Sequence, residues 1–168
     1  LGVSLACARA NAIEQKKSLY QTLGNACIMP IPFMNVINGG AHADNKLSFQ
    51  EFMIAPIAST FAERLRIGSE TYHELKKVIS KKYGKSSTNV GDEGGFAPNL
   101  NKVEDALELL TKTLENLGYQ KHVKIAIDAA ASEFYHNGKY EVDGKTYDSG
   151  KLIDFYIDLI KRYPIISL

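Results

Sequence analysis

The stretch "STNVGDEGGFAPNL", residues 87–100, places two adjacent acids, Asp92 and Glu93, inside a frame of glycines. Gly, Asp and Asn make turns, and turns sit in water, so one reading is a solvated bend. The other is that one of these acids transfers a proton. Three further places set polar groups where strands are expected to end. "NVINGGAHADNK" carries His42 and Asp44, "SFQEFMIAPIA" carries Gln50 and Glu51, and "VKIAIDAAAS" carries Asp128. A carboxylate in a buried strand costs several kcal/mol unless paired or neutralised, so Glu51 is either on a surface face or has a partner. Asp128 is a metal ligand, a base, or a cap for the segment that follows it. His42 alone is more often a hydrogen-bonded loop histidine than a catalyst. Neither the histidine loop nor the glycine–acid loop has the pattern of a calcium loop, a zinc site or a P-loop. Together, four acids and a histidine from separate loops and strand ends can converge on one polar cleft. Such a cleft suits a magnesium-assisted reaction on a small anion, with oxygen ligands for a hard cation and a separate acid for proton transfer.

The elements that must position these residues follow from periodicity. "VSLACARANAIEQKK" predicts a helix with a small-residue face for close packing, and "SLYQTLGN" a short helical turn closed by Gly24. "IMPIPFMNVINGG" predicts a buried strand entered from a loop, and "SFQEFMIAPIA" a second strand. Thr60 and Glu63 form a capping-box pair ahead of a helix marked by Phe61, Leu65, Tyr72, Leu75 and Ile79 and stopped at Gly84. Leu107, Leu110, Leu114 and Leu117 mark the next helix, closed by Gly118. "VKIAIDAAA" is a third strand. Asn137-Gly138 and Asp143-Gly144 carry hairpin chemistry, "GKLIDFYIDLIKRY" is the last helix, and "PIISL" the last strand. The later strand–helix–strand alternation predicts parallel pairing covered by helices. The expected class is α/β, a partial TIM-like barrel, since a full eight-stranded barrel takes about 250 residues.

With 168 residues and 45% hydrophobic content, the chain can bury a core, and one domain is the default. A net charge of +1 gives no field to recruit nucleic acid or an anionic membrane, so neither is an expected partner. The lysines of "ELKKVISKKYGK" form the one local basic run and read as a solvated helix face. Cys7 and Cys27 lack metal-ligand spacing and suggest no disulfide framework, which favours a reducing, cytoplasmic setting. No stretch approaches roughly eighteen continuous apolar residues, and no signal-peptide pattern is read. The start at Leu1 inside an alanine-rich pattern and the stop in the apolar run "RYPIISL" lead to the expectation of a fragment, truncated at both ends.

Three segments, "MNVINGGAHADNKLSFQEFMIAPIAS", "NVGDEGGFAPN" and "IAIDAAASEFY", closely resemble signature segments of the enolase family, and the similarity runs from "LGVSLACARANA" to "YPIISL". The resemblance implies an α/β barrel that opens with two strands and then two helices. Residues 1–28 would be a helical lead-in and 29–168 the first barrel strands and helices. It implies a cytoplasmic, magnesium-dependent lyase, a homodimer at full length, that dehydrates 2-phospho-D-glycerate to phosphoenolpyruvate in glycolysis and gluconeogenesis. By position, Glu93 matches the family's proton donor, Glu51 a second acid and substrate contact, His42 a substrate-binding histidine, and Asp128 the first of three magnesium carboxylates. Enolase-type sites pair such groups with a Lys or His base, and none of this chain's lysines matches the base. The expectation is therefore that this chain alone is inactive. A raised donor pKa would need a like-charged neighbour, for which Asp92 and Glu51 are the candidates. The alternative is a non-catalytic barrel fragment that binds partners through open edges. A different magnesium-dependent enzyme of the superfamily fits less well, because "GDEGG" and "HADNK" belong to the enolase pattern.

Overall fold

The computed structural model describes residues 1–24, 28–91 and 93–168. It divides into two units, Leu1–Pro30 and Ile31–Leu168. In the first, helix α1 (Gly2–Glu14) is followed by a single turn of helix, α2 (Leu19–Leu23). Ser18 starts α2 with its backbone N–H donating to Gln21 Oε1 at 3.0 Å, and Gly24 closes it as its periodicity predicts. Only Ala12 is buried along this helix, while Val3, Leu5 and Ile13 are exposed.

The second unit contains a mixed four-stranded sheet in the order β1 (Met34–Asn38), β2 (Glu51–Pro56), β3 (Val123–Asp128) and β7 (Ile165–Ser167). β2 runs antiparallel to both of its neighbours, and β7 runs parallel to β3. The sheet is open, so the architecture is a partial barrel rather than a closed one. The parallel pair arises as expected, because helix α5 (Ser149–Arg162) carries the chain back between β3 and β7. Two helices lie between β2 and β3: α3 (Phe61–Tyr83) and α4 (Val103–Leu117).

α4 follows its leucine spacing. Leu107, Leu110 and Leu114 are buried, with Val103, Ala106 and Leu109 beside them, and Gly118 closes the helix at φ +70°. α3 follows its pattern less closely. Leu75 and Ile79 are buried, but Leu65 is exposed, and the inward face at the start of the helix belongs to Ile67, Gly68 and Thr71. At Gly68 a Cβ would sit 2.8 Å from Met34 Cε, so the absent side chain is what lets α3 approach β1. Thr60 caps α3 by accepting the Glu63 N–H at 3.2 Å, whereas the Glu63 carboxylate accepts from Arg66 Nε at 2.9 Å, and only the threonine half of the box forms. The lysines at 76, 77, 81, 82 and 85 are exposed, a solvated face as expected.

Between β3 and α5 the chain makes a three-stranded meander of β4 (Tyr135–His136), β5 (Lys139–Val142) and β6 (Lys145–Tyr147). Its turns, Asn137-Gly138 and Asp143-Gly144, have positive φ at both central residues, as a type I′ hairpin requires. Asp143 also reaches out of the meander. Its Oδ2 accepts the Val103 N–H at 3.0 Å, so a hairpin turn supplies an acceptor at the first turn of α4. The Asp143 N–H in turn donates to Ser48 Oγ at 3.1 Å. Among the described residues no helix is long and apolar enough to cross a membrane. Cys7 is a free, exposed thiol, and Cys27 lies outside the described residues.

Candidate active site

The antiparallel direction of β2 decides what collects at one edge of the sheet. β1 and β3 end there, whereas β2 begins there, so a residue at the start of β2 lies level with residues at the ends of its neighbours. The register pairs Asn38 with Glu51 and Glu51 with Asp128, setting three polar residues in a row across the edge. Glu51 therefore stands beside another carboxylate, which adds to the cost of its charge, and what offsets that cost is a hydrogen bond from the Gln50 side chain and partial exposure at the strand's edge.

The connection from β1 to β2 folds back over this edge. Gly39 N–H donates to Gln50 O and Gly40 N–H to Leu47 O, each at 2.9 Å, and a short 3-10 turn, Gly40–His42, brings the histidine inward. Asn45 holds the loop in place, donating from Nδ2 to Asn38 O at 2.9 Å and to Pro98 O at 3.1 Å. Asp44, on the same loop, is exposed.

Glu93 arrives from the glycine–acid loop. Phe96 anchors that loop against β1: its N–H donates to Val36 O, and its carbonyl accepts the Asn38 N–H, both at 2.9 Å. Tyr72 of α3 braces it from outside, stacked on Phe96 at 4.4 Å and donating its hydroxyl to Gly94 O at 2.8 Å. The glycines have a specific job. A Cβ on Gly91 would lie 2.6 Å from His42 O and 2.8 Å from Asn38 Nδ2, and one on Gly95 would overlap Asn38 Oδ1. Neither position has room for a side chain, because the loop is laid directly on a fully buried asparagine.

These segments bring three of the four candidate residues together. His42 Nδ1 lies 3.7 Å from Glu51 Oε1 and 3.6 Å from Glu93 Oε1, and one ligand atom from each of the three falls within 4.8 Å of the others. His42 and Glu51 are partly buried, and Glu93 is exposed. The fourth, Asp128, is exposed at the end of β3 opposite Glu51, and its Oδ1 accepts the Ala130 N–H at 2.9 Å. Among the described residues no Lys or Arg forms an ion pair with Glu51, Glu93 or Asp128.

Burial raises the pKa of Glu51, and the Glu93 carboxylate beside it and Asp128 across the strand push it further the same way. Gln50, bonded to Glu51 through its side chain, opposes the rise. Glu51 is thus the like-charged neighbour of Glu93, but the raised pKa is found on Glu51, whereas the expectation placed it on the acid of the glycine loop; Asp92 lies outside the described residues. An edge with one acid biased to keep its proton, a second acid beside it and an imidazole between them can hold and hand over a proton. The same imidazole and carboxylates also have the reach to ligate a cation. A mixed nitrogen and oxygen set of that kind suits zinc and similar ions better than magnesium.

Sequence reading passed over two residues of this site. Asn35 Nδ2 donates to Glu93 Oε2 at 3.1 Å and to Asn38 Oδ1 at 3.0 Å. Both asparagines sit in a strand read only as apolar, "MNVIN". Amides set in an apolar strand need hydrogen-bond partners, and that need was the available signal; among the described residues Asn35 Oδ1 and Asn38 Nδ2 still make no hydrogen bond.

The family model described as the enolase C-terminal TIM barrel domain matches residues 26–168. Enolase from Thermococcus gammatolerans is 54% identical over 175 residues, covering 100% of this chain and 41% of that protein. Enolase from Methanocaldococcus jannaschii is 53% identical over 171 residues, covering 100% of this chain and 40% of that protein. Enolase from Thermococcus kodakarensis is 53% identical over 175 residues, with 100% and 41% covered. The chain thus spans about two fifths of the length of the curated relatives it matches. With most of its residues matched by that family model, and with its strands and acids arranged as described, the chain belongs to the enolase family, in the region of the C-terminal TIM barrel domain.

Proposed function

We propose that this chain forms the acid side of an enolase-type active site, acting in the dehydration of 2-phospho-D-glycerate to phosphoenolpyruvate. The observation that carries this is the meeting of His42, Glu51 and Glu93 within 4.8 Å, with Asp128 opposite Glu51 at the same sheet edge. In this reaction a hydrogen beside the substrate carboxylate leaves as a proton, and the neighbouring hydroxyl then departs as water. Glu93 is the exposed acid of the cluster, and it protonates that hydroxyl as it departs. Glu51 stands beside the same hydroxyl as a second acid whose pKa burial and the neighbouring Glu93 raise. His42 binds the substrate between them. Asp128 offers a hard oxygen donor, since Ala130 occupies only one of its carboxylate oxygens. This donor chemistry fits magnesium, with Asp128 the residue that would hold it. When bound, magnesium supplies positive charge against the second negative charge that builds on the substrate carboxylate.

The base that removes the first proton is not among this chain's lysines, so the 168-residue chain alone does not turn over. At full length the protein works as a homodimer in the cytoplasm, in glycolysis and gluconeogenesis. Residues 1–28 form the helical lead-in, and residues 29–168 the first part of the barrel domain. A second reading, a barrel fragment that binds partners, is favoured only by the open edge of the sheet at β7.

The test is phosphoenolpyruvate formation, followed by ultraviolet absorbance with magnesium present, by the full-length protein carrying this sequence. Glu93→Gln should lower kcat by about 10²–10⁴-fold, the usual range for a lost general acid. A loss under threefold would overturn the assignment of Glu93. Turnover by the isolated chain would overturn its inactivity.

A further inference from the structure

The two oxygens of Glu93 face different surroundings. Oε2 accepts a hydrogen bond from Asn35 Nδ2 at 3.1 Å, while Oε1 lies 3.6 Å from His42 Nδ1, on the side of Glu51. A protonated carboxyl group carries one O–H. An oxygen that already receives an N–H is the poorer place for that hydrogen, because the carbonyl oxygen of a carboxyl group is a stronger acceptor than its hydroxyl oxygen. We infer that Asn35 is a positioning residue that keeps the transferable proton of Glu93 on Oε1, facing the cluster. This rests on the proposed role of Glu93 as proton donor.

The orientation of the Asn35 amide is set by its second bond. Its other N–H donates to Asn38 Oδ1 at 3.0 Å. Turned over alone, the amide would set its carbonyl oxygen against Asn38 Oδ1 and an ionised Glu93 Oε2. In the observed orientation Asn35 Oδ1 and Asn38 Nδ2 make no hydrogen bond among the described residues, and Asn38 has no room to shift away. It is fully buried, with Gly91 and Gly95 packed against its side chain. The two glycines of the acid loop thereby fix Asn38, Asn38 fixes Asn35, and Asn35 fixes Glu93.

Strand geometry makes this chain of contacts unusual. Residues three apart on a regular strand point to opposite faces of the sheet. Asn35 and Asn38 nevertheless bond to each other, because the register of β1 against β2 slips between Asn35 and Ile37. The extra residue in that bulge, Val36, reverses the alternation and brings both amides to one side.

The experiment uses the full-length protein with 2-phosphoglycerate and magnesium, comparing wild type with Asn35→Ala and the near-isosteric Asn35→Asp, which keeps the shape but removes both N–H donors. Three quantities are read: kcat, KM, and exchange of the substrate C2 hydrogen with deuterated water. Exchange reports removal of the first proton, and turnover also requires the acid. Both variants should lose about 10–100-fold in kcat, the lower part of the range for a general acid. KM and the exchange rate should stay within about threefold, so that exchange outruns dehydration. Unchanged kcat would overturn the inference. Parallel loss of turnover and exchange would also overturn it, since general damage to the site slows both. A wild type that exchanges and dehydrates nothing would remove the proposed function, and this inference with it.

Discussion

Gly95→Ala should be among the more damaging single-methyl additions in this fold. An added Cβ would overlap Asn38 Oδ1 and sit 3.1 Å from both Asn38 Cγ and Ile37 N, the last a backbone atom that cannot rotate away. Forcing a methyl into a filled site costs about 1–3 kcal/mol. Displacing Asn38 also breaks its bond with Asn35, worth about 1 kcal/mol. Restricting the unfolded chain returns about 0.4–1 kcal/mol. The net loss is about 1–3.5 kcal/mol, and at about 2–4 °C per kcal/mol for a chain this size Tm falls by about 2–14 °C. Gly94→Ala is the comparison. It stands one residue away with open space around it, and its φ of +80° makes conformational strain the sole penalty, about 1–2 kcal/mol. The chain has no Trp, so unfolding in urea is best followed by far-ultraviolet circular dichroism. Equal stability of Gly95→Ala and wild type, or a larger loss in Gly94→Ala, would refute the close packing of the loop on Asn38.

Two other perturbations probe separate parts of the structure. The raised pKa of Glu51 means the folded state holds a proton that the unfolded state releases near pH 4.5. That contribution is complete below pH 4.5 and is lost as pH climbs through the higher folded value, so Glu51→Gln should gain stability relative to wild type as pH rises from 4 to 7. Urea midpoints of the two proteins over that range check it, and a gap that narrows with rising pH would contradict the stated cause. Asp143→Ala removes the acceptor for Val103 N–H at the start of α4 and should cost about 1–2 kcal/mol, as a lost helix cap does. Because burial raises the pKa of Asp143, that residue favours folding less as pH rises, and the difference between the two proteins should be smaller at pH 7 than at pH 4.

What the sequence disclosed and what it concealed divide along physical lines. α4 could be read because its leucines recur at one period and its cap is a glycine, both local properties. The type I′ turns could be read because φ > 0 at two successive residues leaves few residue choices. α1 could likewise be read as a helix from its run of alanines and other good helix formers. Leu65 fits the period of α3 but faces outward, because the inward face starts instead at Ile67. The site divided the same way. His42, Glu51, Glu93 and Asp128 stood out as polar residues where strands or turns were expected. Asn35 and Asn38 did not, because their joint presence on one face depends on a slipped register that no single strand's residues reveal. The role of the glycines was half legible: a bend was expected, whereas contact with a buried amide became clear only in three dimensions.

The reversed strand β2 has a consequence for the order in which this edge assembles during folding. Because β2 starts at the edge where β1 stops, His42 and Glu51 belong to a single hairpin connection and meet after only a short loop has closed. In an all-parallel arrangement each would wait for a complete strand–helix crossover, a far longer loop with a larger entropic barrier to closure. Glu93 lies beyond α3 and joins later, once the helix has packed and Tyr72 can brace its loop. Contacts that are near in sequence tend to form first, so His42 and Glu51 should meet before Glu93 docks onto them.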